Sequence, residues 1–93
     1  MIKSFHCKET KKIFGREFSK KLPTEIQEYA RMKLVILDAA TLVTDLRVPP
    51  GNRLEELKDD RKGQHSIRIN NQWRICFEWK NGDTFNVEIV DYH

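Results

Sequence analysis

Gly63-Gln-His-Ser-Ile-Arg-Ile-Asn-Asn-Gln-Trp-Arg-Ile-Cys-Phe-Glu-Trp-Lys-Asn-Gly-Asp-Thr-Phe-Asn-Val-Glu-Ile-Val-Asp-Tyr-His93 decides the fold of this chain. Apolar residues fall at every second position through Trp73, Ile75, Phe77 and Trp79, and again through Phe85, Val87 and Ile89. A period of two is the mark of half-buried strands, whose successive side chains leave opposite faces of a sheet. Asn70-Asn71 and Asn81-Gly82 separate the runs, and Asn and Gly take positive φ at little cost, so the stretch reads as three strands joined by two tight turns. On the central strand Trp73, Ile75, Phe77 and Trp79 share one face, while Arg74, Cys76 and Glu78 share the other. By the same parity Ser66, Arg68 and Asn70 oppose His65, Ile67 and Ile69. With the apolar sets turned inward, Arg68 and Arg74 project from an open face, and His65 belongs to the core or its boundary.

Upstream of the strands the period changes. Ile26, Ala30, Leu34, Leu37 and Thr41 form one stripe at helical spacing, with Tyr29 and Ala40 beside it and Lys33 and Asp38 nearer the edge or the opposite face. Thr24-Glu25-Ile26-Gln27 matches a capping box, in which Thr and Gln reciprocally satisfy orphan amides, so a helix is expected from there to about Leu42. A shorter helix is expected over His6–Phe14, ended by Gly15, after an opening strand at Met1–Phe5. Between the helices, Gly15–Leu22 carries Arg16, Lys20 and Lys21 around Phe18 and reads either as a solvated loop or as a phosphate- or partner-contacting one. Thr44–Arg47 adds a turn, Val48-Pro49-Pro50-Gly51-Asn52 must be a loop, Arg53–Leu57 is extended, and Lys58–Gly63 is a charged turn. Helices grouped early and antiparallel strands late predict an α+β fold over residues 1–93, one domain, with both helices on one face of the sheet.

Composition narrows the function classes. The chain has 93 residues, enough for a single modest core, and 17 basic against 14 acidic residues leave a net charge of +3. That balance is a weak argument for nucleic acid by itself, so placement decides. Cys7 and Cys76 form no disulfide framework and read as two reduced thiols. No Cys-x-x-Cys or His-x-x-x-His spacing suggests a metal, and no cofactor is expected. No apolar run reaches the length of a membrane span and no signal-peptide core opens the chain, so a cytoplasmic protein without membrane partners is expected.

The candidate site gathers at the end of the chain. Asp91-Tyr92-His93 brings a carboxylate, a phenol and an imidazole together, and Arg74 and Arg68 offer planar forks suited to phosphate. These groups are expected to meet on one surface of the sheet, near the turn carrying Lys58, Arg61 and Lys62. His93 is the first candidate for acid–base work because the reference pKa of imidazole lies near neutrality. The residues alone leave three readings open: a ribonuclease, a non-catalytic RNA- or ribosome-binding module that blocks translation, and a structural partner of another protein.

Taken together, Leu54-x-x-Leu57-Lys58-x-Asp60-Arg61-x-Gly63-x-x-Ser66-Ile67, Asn71-x-Trp73-Arg74-Ile75-x-Phe77, Asn81-Gly82-Asp83 and the terminal Asp91-Tyr92-His93 resemble the HigB group of bacterial type II toxins. That group belongs to the RelE superfamily and is also called the plasmid maintenance system killer proteins. Asp45-Leu46-Arg47-x-Pro49-Pro50-Gly51-Asn52-Arg53-Leu54 is similar to its GraT-like chromosomal branch, and the likeness covers nearly the whole chain. The resemblance implies a RelE-like microbial RNase fold and ribosome-dependent cleavage of mRNA without a metal. It implies a helix-turn-helix antitoxin of the HigA type, with DNA contacted only through the antitoxin complex. It implies catalytic roles for His93, Asp91, Tyr92, Arg74 and Lys58; beside them, Arg53, Arg61, Lys62 and Arg68 are expected to contact RNA. The sequence departs from the family at Glu55, where some members carry a histidine, so the chemistry there is not expected to carry over unchanged.

Overall fold

Trp73–Lys80 is the strand that every layer meets, because both of its edges are paired and its apolar face is covered. The computed structural model describes residues 1–91. Its sheet runs in the order β1 (Glu55–Glu56), β2 (Gln64–Arg68), β3 (Trp73–Lys80), β4 (Asp83–Asp91), antiparallel throughout. Two helices, α1 (Lys8–Phe14) and α2 (Thr24–Ala39), lie on one face, giving the expected α+β architecture. Ile26, Ala30, Leu34 and Leu37 of α2 and Ile13 of α1 enclose a core with Ile67, Ile75, Phe77, Val87 and Ile89 of the sheet. His65 stacks on Phe77 in this layer, centroids 5.9 Å apart, as its parity predicts.

The turns hold by different means. Asn81 and Gly82 both take positive φ (52° and 83°), the twist that a two-residue hairpin requires. Asn70 works otherwise, through its side chain: Oδ1 accepts from the amides of Gln72 and Trp73, both at 2.8 Å. Asn86 (φ 53°) bulges from β4 where the register shifts between Cys76 and Glu78. The bulge corrects the expected alternation, because Phe85 pairs with Glu78 and Thr84 with Trp79. Phe85 therefore leaves the face of Val87 and Ile89, and Thr84 takes the buried place.

The opening segment pairs with β4 only through two parallel bridges, Ile2 to Thr84 and Phe5 to Val87, with the bulge between them. It is a broken edge rather than the continuous strand expected. Beyond it, Thr10 of α1 accepts from the amide of Ile89 at 3.0 Å, closing that edge further along.

Three helix expectations change. Helix α1 ends at Gly15, but the left-handed residue is Arg16 (φ 66°). Helix α2 stops at Ala39 rather than Leu42, leaving Thr41 exposed, and a 3₁₀ turn follows over Val43–Arg47. There is no capping box at its start, because Thr24 is already helical and Gln27 bonds elsewhere. The Gln27 side chain accepts from the Ser19 amide and donates to the carbonyls of Ser19 (2.7 Å) and Leu22 (2.9 Å). Ser19 is fully buried and donates its hydroxyl to Glu9 at 2.6 Å, so the basic loop is pinned at its middle while Phe18 stays exposed.

Candidate nucleic-acid interface

Ser66, Arg74 and Cys76 stand on the sheet face away from the helices, yet all three are buried, and Arg74 is only 8% exposed. The face is not open at its centre, as parity alone suggested. Arg61 spans it from the Asp59–Arg61 turn, donating to Gln64 (3.1 Å) and Glu88 (3.0 Å). Cys76 lies in the ladder between Ser66 and Glu88, and burial pushes its thiol pKa up, which keeps it protonated and inert.

Arg74 is held from two sides. Its Nε donates to the Ser66 hydroxyl at 2.8 Å, and its Nη2 donates to the Arg53 carbonyl oxygen at 2.7 Å. Arg68 is its direct partner across β2 and β3 and bonds Asn71 through Nη2. Together Arg53, Arg68, Asn70, Asn71 and Arg74 line a pocket of about 290 Å³. Three guanidinium groups and two amides, with no carboxylate among the described lining residues, make an environment for an anion. Arginine suits it because its fixed fork matches phosphate oxygens.

The remaining sequence candidates scatter around this pocket. Asp91 pairs with Trp73, whereas Arg74 pairs with Val90, so Asp91 leaves the opposite face of the sheet. The expectation of one shared surface therefore fails for this pair. Asp91 nevertheless lies at the same end, accepting from Gln72 Nε2 at 3.1 Å in the turn that carries Asn70 and Asn71. Lys58 and Lys62 are exposed and line a different hollow with Glu56, Leu57 and Asp59. Arg61 is engaged with Glu88 across the face. Tyr92 and His93 lie outside the described residues. Glu55, where the family resemblance breaks, sits directly across from Ser66 and so shares Arg74's face.

Sequence reading missed Ser66, Asn52 and Lys33, the polar groups buried behind the pocket. Asn52 is wholly buried and Lys33 is 2% exposed, although its position in the helical stripe put Lys33 at the edge or the outer face. No periodicity signals them, because what draws Lys33 inward is Asn52, from a loop far along the chain.

A second surface lies on the outer side of α2, where Arg16, Arg31, Tyr29, Met32, Val35 and Ile36 border an apolar groove. Among the described residues no helix is long and apolar enough to cross a membrane.

The comparisons with known proteins agree with this architecture. Residues 3–93 match the model of the HigB-like toxins, described as RelE-like toxins of the type II toxin–antitoxin system HigB. The chain is 34% identical over 93 residues to Endoribonuclease HigB of Proteus vulgaris, covering all of both chains. It is 48% identical over 65 residues to Toxin HigB-1 of Vibrio cholerae serotype O1, covering 70% of this chain and 68% of that one. This chain belongs to the HigB-like toxins, the RelE-like toxins of type II toxin–antitoxin systems.

Proposed function

We propose that this toxin is an endoribonuclease that cuts mRNA on the ribosome and so inhibits translation. The observation that carries the reading is the pocket of Arg53, Arg68 and Arg74, three guanidinium groups gathered with Asn70 and Asn71. The name of the full-length relative, Endoribonuclease HigB, supports it. The reaction needs no metal. The 2′-oxygen attacks the adjacent phosphorus, the bond from phosphorus to the 5′-oxygen breaks, and the products are a 2′,3′-cyclic phosphate and a 5′-hydroxyl. A base takes the 2′-proton, cations stabilise the phosphorane, and an acid returns a proton to the leaving oxygen.

Arg74 is assigned the phosphorane charge, with Arg53 and Arg68 beside it. His93 is assigned acid–base work, and Tyr92 stacking or phosphate positioning, as aromatic rings do with single-stranded RNA. Asp91 acts as the base or orients His93; its bond to Gln72 favours orientation. Glu55 shares Arg74's face and is the competing carboxylate base. Lys58 and Lys62 guide the strand electrostatically from the neighbouring turn, with Arg61 bracing that turn.

The partner of a type II toxin is its antitoxin; a helix-turn-helix protein of the HigA type, the ribosome and a cytoplasmic setting complete the proposal. The test is a translation reaction programmed with a defined mRNA, followed by analysis of RNA termini. New 5′-hydroxyl ends that require ribosomes support the enzyme. Blocked translation with intact mRNA replaces it with a non-catalytic ribosome-binding module.

A further inference from the structure

We infer that Lys33 and Asn52 are positioning residues for the arginine pocket, acting through the backbone of Arg53; the inference rests on the ribonuclease reading of that pocket. A lysine 2% exposed without a carboxylate partner among its described contacts is an unusual object, since burial of an ammonium is costly unless its donors are satisfied. Lys33 meets two groups. Its Nζ donates to Asn52 Oδ1, and the ring of Tyr29 lies 5.3 Å away at its centroid. Asn52 spends its remaining donors on the loop itself, through Nδ2 to the carbonyls of Leu46 (3.1 Å) and Val48 (3.3 Å). The side chain therefore ties α2 to the end of the Val43–Arg47 turn, where the loop leading to Arg53 begins.

The next residue is Arg53, held left-handed at φ 45° and ψ 56°. A non-glycine residue there needs its surroundings to impose the conformation. That conformation aims the Arg53 carbonyl at Arg74 Nη2 and leaves the Arg53 side chain on the pocket wall. Removal of the Lys33–Asn52 tie frees the loop, and two of the three arginines lose their setting together. Neither Lys33 nor Asn52 lines the pocket, so neither touches substrate there.

The experiment compares Lys33→Met and Asn52→Ala with wild type, and Lys33→Arg as the variant that keeps a donor. Folding is checked by circular dichroism. Single-turnover cleavage of ribosome-bound mRNA should fall about 10-fold or more in the first two, the scale of misplaced catalytic groups, with half-saturating toxin concentration within about twofold. Lys33→Arg should recover part of the loss. In an Arg74→Ala background either change should cost less than about twofold more, because both act through one element. An independent readout is the Arg74 Nε–H resonance in ¹⁵N spectra. It should shift or broaden in Lys33→Met and Asn52→Ala, whether or not RNA is cut. Folded variants with an unmoved resonance, or with losses that simply multiply in the Arg74→Ala background, overturn the inference. Wild-type protein that cuts no RNA sinks the ribonuclease reading instead, and the resonance then still decides whether the tie sets Arg74.

Discussion

Arg74 donates through Nη2 to the main-chain carbonyl oxygen of Arg53, 2.7 Å away, although the two residues are 21 positions apart in sequence. The bond joins the central strand to the loop after α2, and it fixes where two of the pocket's guanidinium groups stand. A lysine in place of Arg74 keeps the charge but cannot bond Ser66 and Arg53 at once with a rigid fork. Arg74→Lys should fold and retain a small part of the activity, with cleavage lowered by at least about 10-fold, or roughly 1.4 kcal/mol. Cleavage rates measured beside a thermal melt check this; full activity in Arg74→Lys removes the fork from the argument.

Asn86 should be sensitive to shape rather than polarity. Its φ of 53° sits at the bulge that turns Phe85 to the other face, and its Nδ2 reaches Glu78 at 2.8 Å. A β-branched residue in the left-handed region costs about 1–2 kcal/mol, whereas glycine adopts it freely. Asn86→Val should lower the urea midpoint while Asn86→Gly leaves it nearly unchanged. Equal stability of the two variants contradicts a strained bulge.

Acid should weaken the pinned basic loop. The Ser19 hydroxyl bond, helped by Lys12 and Lys21, outweighs burial and holds the Glu9 carboxyl below its ordinary pKa. A carboxylate depressed in the folded state adds stability above its unfolded pKa, and that contribution fades as pH falls through the folded value. Urea midpoints of wild type and Glu9→Gln should therefore differ at neutral pH and converge in acid. A gap that stays constant down to pH values where carboxylates are protonated contradicts the role of Glu9.

The two thiols should separate kinetically. Burial raises the Cys76 thiol pKa, and Cys7 is half-buried at the start of α1. A thiol reagent at neutral pH should modify Cys7 in the native protein and reach Cys76 only after denaturant is added. Rapid double labelling without unfolding contradicts the buried place of Cys76.

These sites show what a single sequence carries. The meander was legible because Ile67, Ile75 and Phe77 obey a period of two that only a half-buried sheet requires, and Ala30, Leu34 and Leu37 obey the helical one. Arg74 and Arg68 were legible as sharing a face because the period of two fixes parity along each strand. That they stand directly opposite one another comes from the register across the longer turn, which Asn70 and Asn71 alone did not give. Phe85 was not, since one extra residue at Asn86 reverses parity without altering the residue types around it. Gln27 fitted a local cap, but Ser19 offered it buried amide and carbonyl partners. Lys33 is charged, and only the arrival of Asn52 from the loop explains its burial. Asp91 was read by adjacency to the terminal residues, whereas β4 register turns it to the face of Trp73.

The central claim is that the arginine pocket holds the scissile phosphate of ribosome-bound mRNA. The most direct measurement is primer extension of a defined mRNA from a translation reaction containing wild-type toxin, Arg74→Ala or His93→Gln, each shown to be folded. The account predicts ribosome-dependent 5′ ends with wild type and a loss of at least about 10²-fold in both variants, the scale of acid–base and electrostatic groups. Undiminished cleavage by folded Arg74→Ala would place the chemistry away from this pocket and contradict the account.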